Sequence, residues 1–426
     1  MTSPSAAAAF EPLTIATLPQ RLHGIAALTQ RIGADAASWK VREVGDGNLN
    51  LVFIVDGPSG SAVVKQALPY VRLVGDSWPL PLKRSFFEYH ALTRQQARAP
   101  GAVPEIFHFD QAQALIVMEY LSPHIILRKA LMMGRELPGI AEDLGLFTAQ
   151  TLFRGSDLHM SAAARKADLA LFADNVEICD ITESLVFTDP YFDAPRNRHT
   201  SPQLDALVAQ LRADRDLKVE AQRMKHLFAA NAETLLHGDL HTGSIMVTDE
   251  ETKVIDPEFA FYGPIAFDIG MLLANFWMSY FSQGGHEQDG ARASMRGYLL
   301  RTTTTIWSVF RAEFSRLWRS EREGMLYARS LFEDAGDTLG AEQALDRFLH
   351  GVWQDLLGFA GVEIHRRILG LAHNAEFETI EDPDLRAACE APALKFGRHI
   401  AVNRRAIHSI DEVNALVTLI DREGRS

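Results

Sequence analysis

Between residues 40 and 66, short apolar runs alternate with turn-forming residues. Lys40–Val44 leads into a Gly/Asp/Asn turn over Gly45–Asn50, Leu51–Asp56 runs out to Gly57-Pro58-Ser59-Gly60, and Ala62–Gln66 returns. Strand, turn, strand, turn, strand predicts the start of an antiparallel sheet. Ahead of it, residues 1–38 read as a tail followed by an amphipathic helix over Leu18–Arg31. After it, Lys83–Arg98 reads as a helix, and Ala114–Tyr120 as a short apolar strand ending in a carboxylate and an aromatic. From about Ser122 the apolar positions fall at helical spacing, over 123–175, 201–233, 266–281, 289–318, 320–335 and 341–373. One strand-loop-strand section, Leu235–Ala260, interrupts them. The predicted class is α+β: an N-terminal antiparallel sheet lobe over 1–118, a hinge at 119–122 and a larger helical lobe over 123–426.

Composition narrows the function classes. The chain has 426 residues, 47% of them hydrophobic, enough for a substantial core and two or three domains or lobes. A formal net charge of -13 argues against nucleic acid or an acidic membrane surface as the main partner. It leaves ATP open, because an anionic nucleotide needs only a local cationic cradle and a metal. Cys179 and Cys389 form neither a metal spacing nor a disulfide framework, which fits a reducing cytoplasm. Met1–Phe10 lacks the basic region and apolar run of an export signal. Ile265–Phe281 is apolar but interrupted by Asp268, Asn275 and Ser279, and reads as a buried helix rather than a membrane span.

Three segments carry candidate chemistry. Gly45-Asp46-Gly47-Asn48-Leu49-Asn50 is a Gly-x-Gly-x-x-Asn turn between two strands, where glycines let backbone approach phosphates. An ordinary hairpin turn would look the same. Lys65, on the strand after the hairpin, is placed to grip nucleotide phosphates, with Glu88 on the next helix as its carboxylate partner; a surface lysine and an exposed helix glutamate are the bland alternative. The strongest signal is Leu235-Leu236-His237-Gly238-Asp239-Leu240-His241-Thr242-Gly243-Ser244, in which Asp239 can accept a proton from an alcohol. Asp256-Pro257-Glu258, seventeen residues on, offers two hard oxygen ligands to Mg²⁺ on a segment extended by its proline. His237 and His241 have no third N or S ligand nearby and read as loop-packing or hydrogen-bonding groups. Asp268 reads as a helix cap or loop anchor.

At these residues the chain resembles the methylthioribose kinases, a branch of the aminoglycoside-phosphotransferase-like, protein-kinase-like superfamily. The resemblance rests on Asp46–Asn50, Ser77-Trp78-Pro79-Leu80, His237–Ser244, Asp256–Pro264 and Arg366–His373, and spans about residues 40–410. It implies ATP and Mg²⁺, a methylthiopentose phosphorylated at its 1-hydroxyl, and a homodimer. Nucleotide contacts are implied for Gly45, Gly47, Asn48, Lys65, Glu88 and the hinge Glu119, Tyr120 and Leu121, and metal binding for Asp256 and Glu258. In the wider superfamily an asparagine usually follows the catalytic aspartate by five residues; here that position is Ser244, a weaker ligand for which Glu258 compensates. Arg366 and Arg367 read from the residues alone as a solvated helix face with Glu363 as an i,i+4 partner, whereas the resemblance implies a place beside the sugar. Trp78 reads either as a lid or as a buried anchor for its loop. The rivals are a kinase of a related pentose such as 5-deoxyribose, and a nucleotide-binding pseudokinase scaffold. Retention of Lys65, Asp239, Asp256 and Glu258 together argues against the second.

Overall fold

In the computed structural model, which describes residues 10–45, 50–71, 75–287 and 291–425, the chain is α+β and divides into two compact units. The first comprises residues up to Pro123 together with Lys253–Ala260; the second comprises His124–Thr252 and the chain from Phe261 onward. Lys253–Ala260, which the sequence assigns to the helical lobe, is thus counted with the sheet.

The first unit opens with α1 (Leu18–Leu22) and α2 (Ala26–Ile32), followed by β1 (Lys40–Glu43), β2 (Asn50–Gly57), β3 (Gly60–Ala67), β4 (Tyr70–Val71), β5 (Gly75–Pro79), α3 (Arg84–Arg98), β6 (Ile106–Asp110) and β7 (Leu115–Glu119). The expected single helix over Leu18–Arg31 is broken around Gly24, glycine being a poor helix former. Five strands run in the order β1-β2-β3-β7-β6, and every pairing is antiparallel. Leu18, Leu22, Leu28 and Ile32 of the two helices join Phe53, Val55, Val64 and Val117 of the sheet in one apolar cluster. Buried Gln66 ties the N-terminal segment to this face: its side chain accepts the Leu13 N–H at 2.7 Å and donates to the Glu11 and Gln113 carbonyls.

The second unit contains β8 (Ile125–Ile126), α4 (Leu127–Met132), α5 (Ile140–Arg154), α6 (Ala162–Phe172), α7 (Val176–Leu185), α8 (Asp205–Ala213), α9 (Arg215–Ala230), β9 (Thr234–Leu235) and β10 (Ile245–Val247). After β11 (Thr252–Val254) come β12 (Tyr262–Gly263), α10 (Ala266–His286), α11 (Ala293–Ser320), α12 (Thr338–Leu369), α13 (Ala375–Glu378), α14 (Pro383–Asn403) and α15 (Ile410–Arg425). The apolar stretch at Ile265–Phe281 is the buried helix expected of it: α10 packs against α11, α12 and α14, and nearly all its residues are buried. Among the described residues no helix is long and apolar enough to cross a membrane.

The helix expected over 320–335 is absent; two single 3-10 turns, Arg329–Leu331 and Glu333–Ala335, stand there instead. Gly324 donates its N–H to the Leu158 carbonyl at 2.9 Å and leaves no room for a Cβ against the Asp157 backbone. Buried Arg322 folds back on Glu333 at 2.6 Å, a contact across eleven residues that a continuous helix could not make. Helix α7 and the last two helices, α14 and α15, lie outside the stretches where helical periodicity is legible.

Glycines set how closely the central helices approach. A Cβ on Gly361 of α12 would stand 2.7 Å from the Ala401 Cβ of α14, and one on Gly270 would stand 2.7 Å from the Leu356 carbonyl. Gly361→Ala should therefore lower stability by about 1–3 kcal/mol through overpacking. Gly351→Ala, in the same helix but with open space around it, should raise stability by up to about 1 kcal/mol. Thermal unfolding should move Tm in opposite directions for the two variants; shifts of the same sign would contradict the close approach of α12 and α14.

Candidate functional site

In the first unit, β3 places Lys65 at the centre of the sheet, paired across to Val52 on one side and Ile116 on the other. Its ammonium donates to Glu88 at 2.8 Å and to Asp256. The expected Lys65–Glu88 pair is present. The sequence reading missed Arg84, one helical turn before Glu88 and therefore on the same face of α3. Fully buried Arg84 lies 3.3 Å from the Glu258 carboxylate and donates to Asn50 at 3.1 Å and to the Leu68 carbonyl at 2.6 Å. Asn50 in turn donates to the same Glu258 oxygen at 3.3 Å. Asn50, the last residue of the Gly-x-Gly-x-x-Asn turn, is thus bonded to the acidic segment.

Three carboxylates (Glu88, Asp256, Glu258) face two cations (Lys65, Arg84) here, so with all of them ionised one negative charge would be uncompensated. Burial opposes the charge on Lys65, but Asp256, Glu88 and Glu258 outweigh it and push its pKa up. Burial raises the carboxyl groups of Glu88 and Glu258, and their acidic neighbours reinforce the shift against the pull of Lys65. The Asp256 side chain is nearly half exposed, and its backbone lies in the left-handed region at φ 72°, uncommon for a residue other than glycine. An all-oxygen donor pair with surplus negative charge suits a hard divalent cation that completes its shell with phosphate and water oxygens. Among the described residues no group of three His, Cys, Asp or Glu could hold a metal unaided.

Of the other candidates in this unit, Glu119 closes β7 and accepts the Glu105 N–H at 3.1 Å. The Tyr120 hydroxyl accepts from Arg42 at 2.9 Å, and Leu121 is buried. Gly45 is the last described residue before the turn; Gly47 and Asn48 lie outside the described residues. Trp78 is part of β5, and its side chain is likewise outside them.

In the second unit, β9 pairs with β12 and feeds the His-Gly-Asp loop. The N–H groups of His237 and Gly238 donate to the two Asp268 oxygens at 2.6 and 3.0 Å, so Asp268, in the first turn of α10, is the loop anchor expected from its position. Gly238 has φ 85°, which a side chain would resist. Beyond this turn the Asp239 carboxylate meets α12. Its Oδ1 accepts from Arg366 at 2.7 Å and from Arg367 at 3.1 Å, and its Oδ2 lies 3.2 Å from His241 Nε2. Both guanidiniums are held from behind by Glu363, at 2.6 and 2.8 Å. The Glu363 partnership read from spacing is real, but the solvated face is not: Arg366 and Arg367 are 8% and 6% exposed.

A further layer was not legible in the sequence. Asn275 donates to Glu363 at 3.3 Å; Arg128 donates to Asn275 at 3.2 Å and to Thr242 at 3.3 Å, and pairs with buried Glu376 at 3.0 Å. These residues come from α10, α4 and α13, far apart in the chain and marked by no motif. Ser244, at the position of the superfamily's asparagine, donates its hydroxyl to the Asp239 carbonyl at 3.1 Å.

Electrostatically this cluster closes on itself. Burial would raise Asp239, but His241 and the two guanidiniums hold its carboxyl well below the ordinary aspartate range. Glu363 is likewise lowered against burial by Arg366 and Arg367. Burial lowers Arg367, with Arg366 adding to the effect, whereas Glu363 and Asp239 outweigh burial at Arg366 and raise it. An ionised carboxylate backed by two fixed guanidiniums can orient a hydroxyl and compensate negative charge developing on its oxygen.

Residues 40–302 match the phosphotransferase enzyme family. A methylthioribose kinase of Escherichia coli O45:K1 is 46% identical over 407 residues, covering 95% of this chain and 96% of that protein. Methylthioribose kinase 1 of Oryza sativa subsp. japonica is 44% identical over 418 residues, covering 97% and 96%. A glucosamine kinase structure aligns with 83% of this chain and 85% of its own at 18% identity and a TM-score of 0.44.

Breaking one member of a buried ion cluster costs far more than breaking a surface pair. Glu363→Gln should destabilise the protein by about 3–5 kcal/mol, because two buried guanidiniums then face one carboxylate. Glu342→Gln, which breaks the exposed pair with Arg319, should cost under about 1 kcal/mol. Urea unfolding of both variants checks the contrast, and equal costs would refute it.

Proposed function

The chain belongs to the phosphotransferase enzyme family and, within it, to the methylthioribose kinases, and on that premise we propose that it transfers the γ-phosphoryl group of ATP to the 1-hydroxyl of S-methyl-5-thioribose. The products are ADP and S-methyl-5-thioribose 1-phosphate, a step of methionine salvage. The observation that carries this reading is the Asp239 carboxylate held ionised under Arg366 and Arg367.

Phosphoryl transfer through a loose transition state asks the protein for positioning and charge compensation rather than covalent chemistry. Asp239 is the catalytic residue: it accepts the hydrogen bond of the sugar's anomeric hydroxyl and aims the oxygen. Its depressed pKa makes it a weak base, so it orients the nucleophile first and takes the proton late, once the oxygen has become acidic. Arg366 and Arg367 balance charge on the acceptor side, each guanidinium being able to hold two oxygens. On the nucleotide side Lys65, braced by Glu88, binds phosphate oxygens. Gly45, Gly47 and Asn48 supply loop contacts, Glu119, Tyr120 and Leu121 the hinge contacts, and Trp78 a sugar-facing contact. Asp256 and Glu258 would hold Mg²⁺, which when bound neutralises phosphate charge. The enzyme is read as a cytoplasmic homodimer; its two cysteines, neither of them in a disulfide, suit a reducing compartment.

Asp239→Asn should keep ATP affinity and lower turnover by about 10²–10⁴-fold. ADP release measured across methylthioribose, 5-deoxyribose and ribose should show the methylthio sugar preferred. A folded Asp239→Asn variant with near-normal turnover would remove the aspartate from this role, and a preference for another pentose would change the acceptor.

The metal assignment has its own test. The Ser244 hydroxyl is engaged by the Asp239 carbonyl, whereas Glu258 is fixed by Arg84 and Asn50 with carboxylate chemistry suited to the ion. Glu258→Gln should therefore raise the Mg²⁺ concentration needed for half-maximal turnover more than Ser244→Ala does. Titrations giving the reverse order would contradict the division of labour.

A further inference from the structure

His241 lies between two fixed partners. Its Nδ1 accepts the N–H of Gly243 at 2.9 Å, and its Nε2 faces Asp239 Oδ2 at 3.2 Å. A backbone N–H can only donate, so Nδ1 must carry a lone pair, and in a neutral ring the single proton then sits on Nε2. Burial drives the imidazole down to about 4 against the pull of Asp239, with Arg367 and Arg128 adding to the depression, so the ring is neutral at physiological pH. The turn is built around the ring: a Cβ at Gly243 would come within 2.8 Å of its Cε1. The Ser244 hydroxyl lies 3.3 Å from the same Nδ1.

We propose that His241 is a positioning residue for phosphoryl transfer: as the Nε2–H tautomer it donates to Asp239 Oδ2 and fixes the carboxylate plane. Oδ1 is held by the two arginines and cannot by itself stop rotation about the carboxylate axis. A second donor on Oδ2 defines that rotation. The lone pair left over on the carboxylate then points in one direction, toward the acceptor hydroxyl. Misplacing an aligning group by about 1 Å is enough to slow an in-line transfer. This inference rests on the catalytic role of Asp239 proposed above.

Two amide side chains separate the functions of the ring nitrogens. In His241→Asn the shorter amide can still accept from Gly243 but does not reach Asp239; in His241→Gln the longer one places an N–H near the former Nε2. In the full-length enzyme, His241→Asn should lower kcat by about 10- to 100-fold with KM for ATP and sugar and Tm little changed, and His241→Gln should recover most of the loss. Wild-type kcat in His241→Asn, or equal losses in both variants, would overturn the proposal. Should either variant fail to fold, ¹⁵N-histidine NMR of the unmodified enzyme decides: the expected spectrum is the Nε2–H tautomer, and an Nδ1–H ring would overturn it. Asp239→Asn run alongside keeps the two readings apart. If that variant stays active, the catalytic assignment fails and takes this one with it. If it is inactive while His241→Asn is fully active, only the histidine's role is lost.

Discussion

The helical unit is organised around four charges that sum to zero, three of them buried and the fourth, Asp239, partly exposed. Asp239 and Glu363 lie on opposite sides of Arg366 and Arg367, so each guanidinium bridges two carboxylates. Removing charges from water is costly, and the cost is offset only when every partner is in place. That requirement dictates much of the surrounding packing. Helix α12 must bring its last turn to the His-Gly-Asp loop, α10 must supply Asp268 to the loop backbone and Asn275 to Glu363, and glycines at 270 and 361 allow the helices to come close enough. The Asp239 carboxylate is thus held by the same interaction that fixes the core helices.

The sheet unit solves a different electrostatic problem. Its three carboxylates outnumber its two cations, and Glu88 and Glu258 resist ionisation where they stand. A cluster left short of positive charge is suited to receive a divalent ion. The helical cluster, already neutral, needs no ion and offers hydrogen-bond direction instead. On the proposed function, each unit carries the electrostatic character that its side of the reaction calls for.

The parts of this design that were legible in the sequence are those written in local spacing. The β1–β3 meander, the Lys65 strand, the His-Gly-Asp loop and the Asp-Pro-Glu segment all appear as short runs with fixed offsets, and the Glu363–Arg367 pair appears as i,i+4. What was not legible depends on residues brought together from distant elements. Arg84, Asn275 and Glu376 look like ordinary polar positions until the fold buries them, as does Arg128 until it pairs with Glu376. The twin arginines were ambiguous for the same reason, since helical periodicity cannot show that a polar face is covered. The misread at 320–335 arose because apolar residues there, such as Met325, Leu326 and Leu331, are exposed, and the segment is shaped by Gly324 and the Arg322–Glu333 pair instead.

Helix α3 carries Arg84 and Glu88 one turn apart, the first on Glu258 and Asn50, the second on Lys65. A rigid helix with two prongs works as a yoke. Because Lys65 is also held by Asp256, and Glu258 by Asn50, a slide or rotation of this helix would loosen both groups together without freeing either outright. The settings of Lys65 and of the acidic segment are thus coupled through the position of one helix.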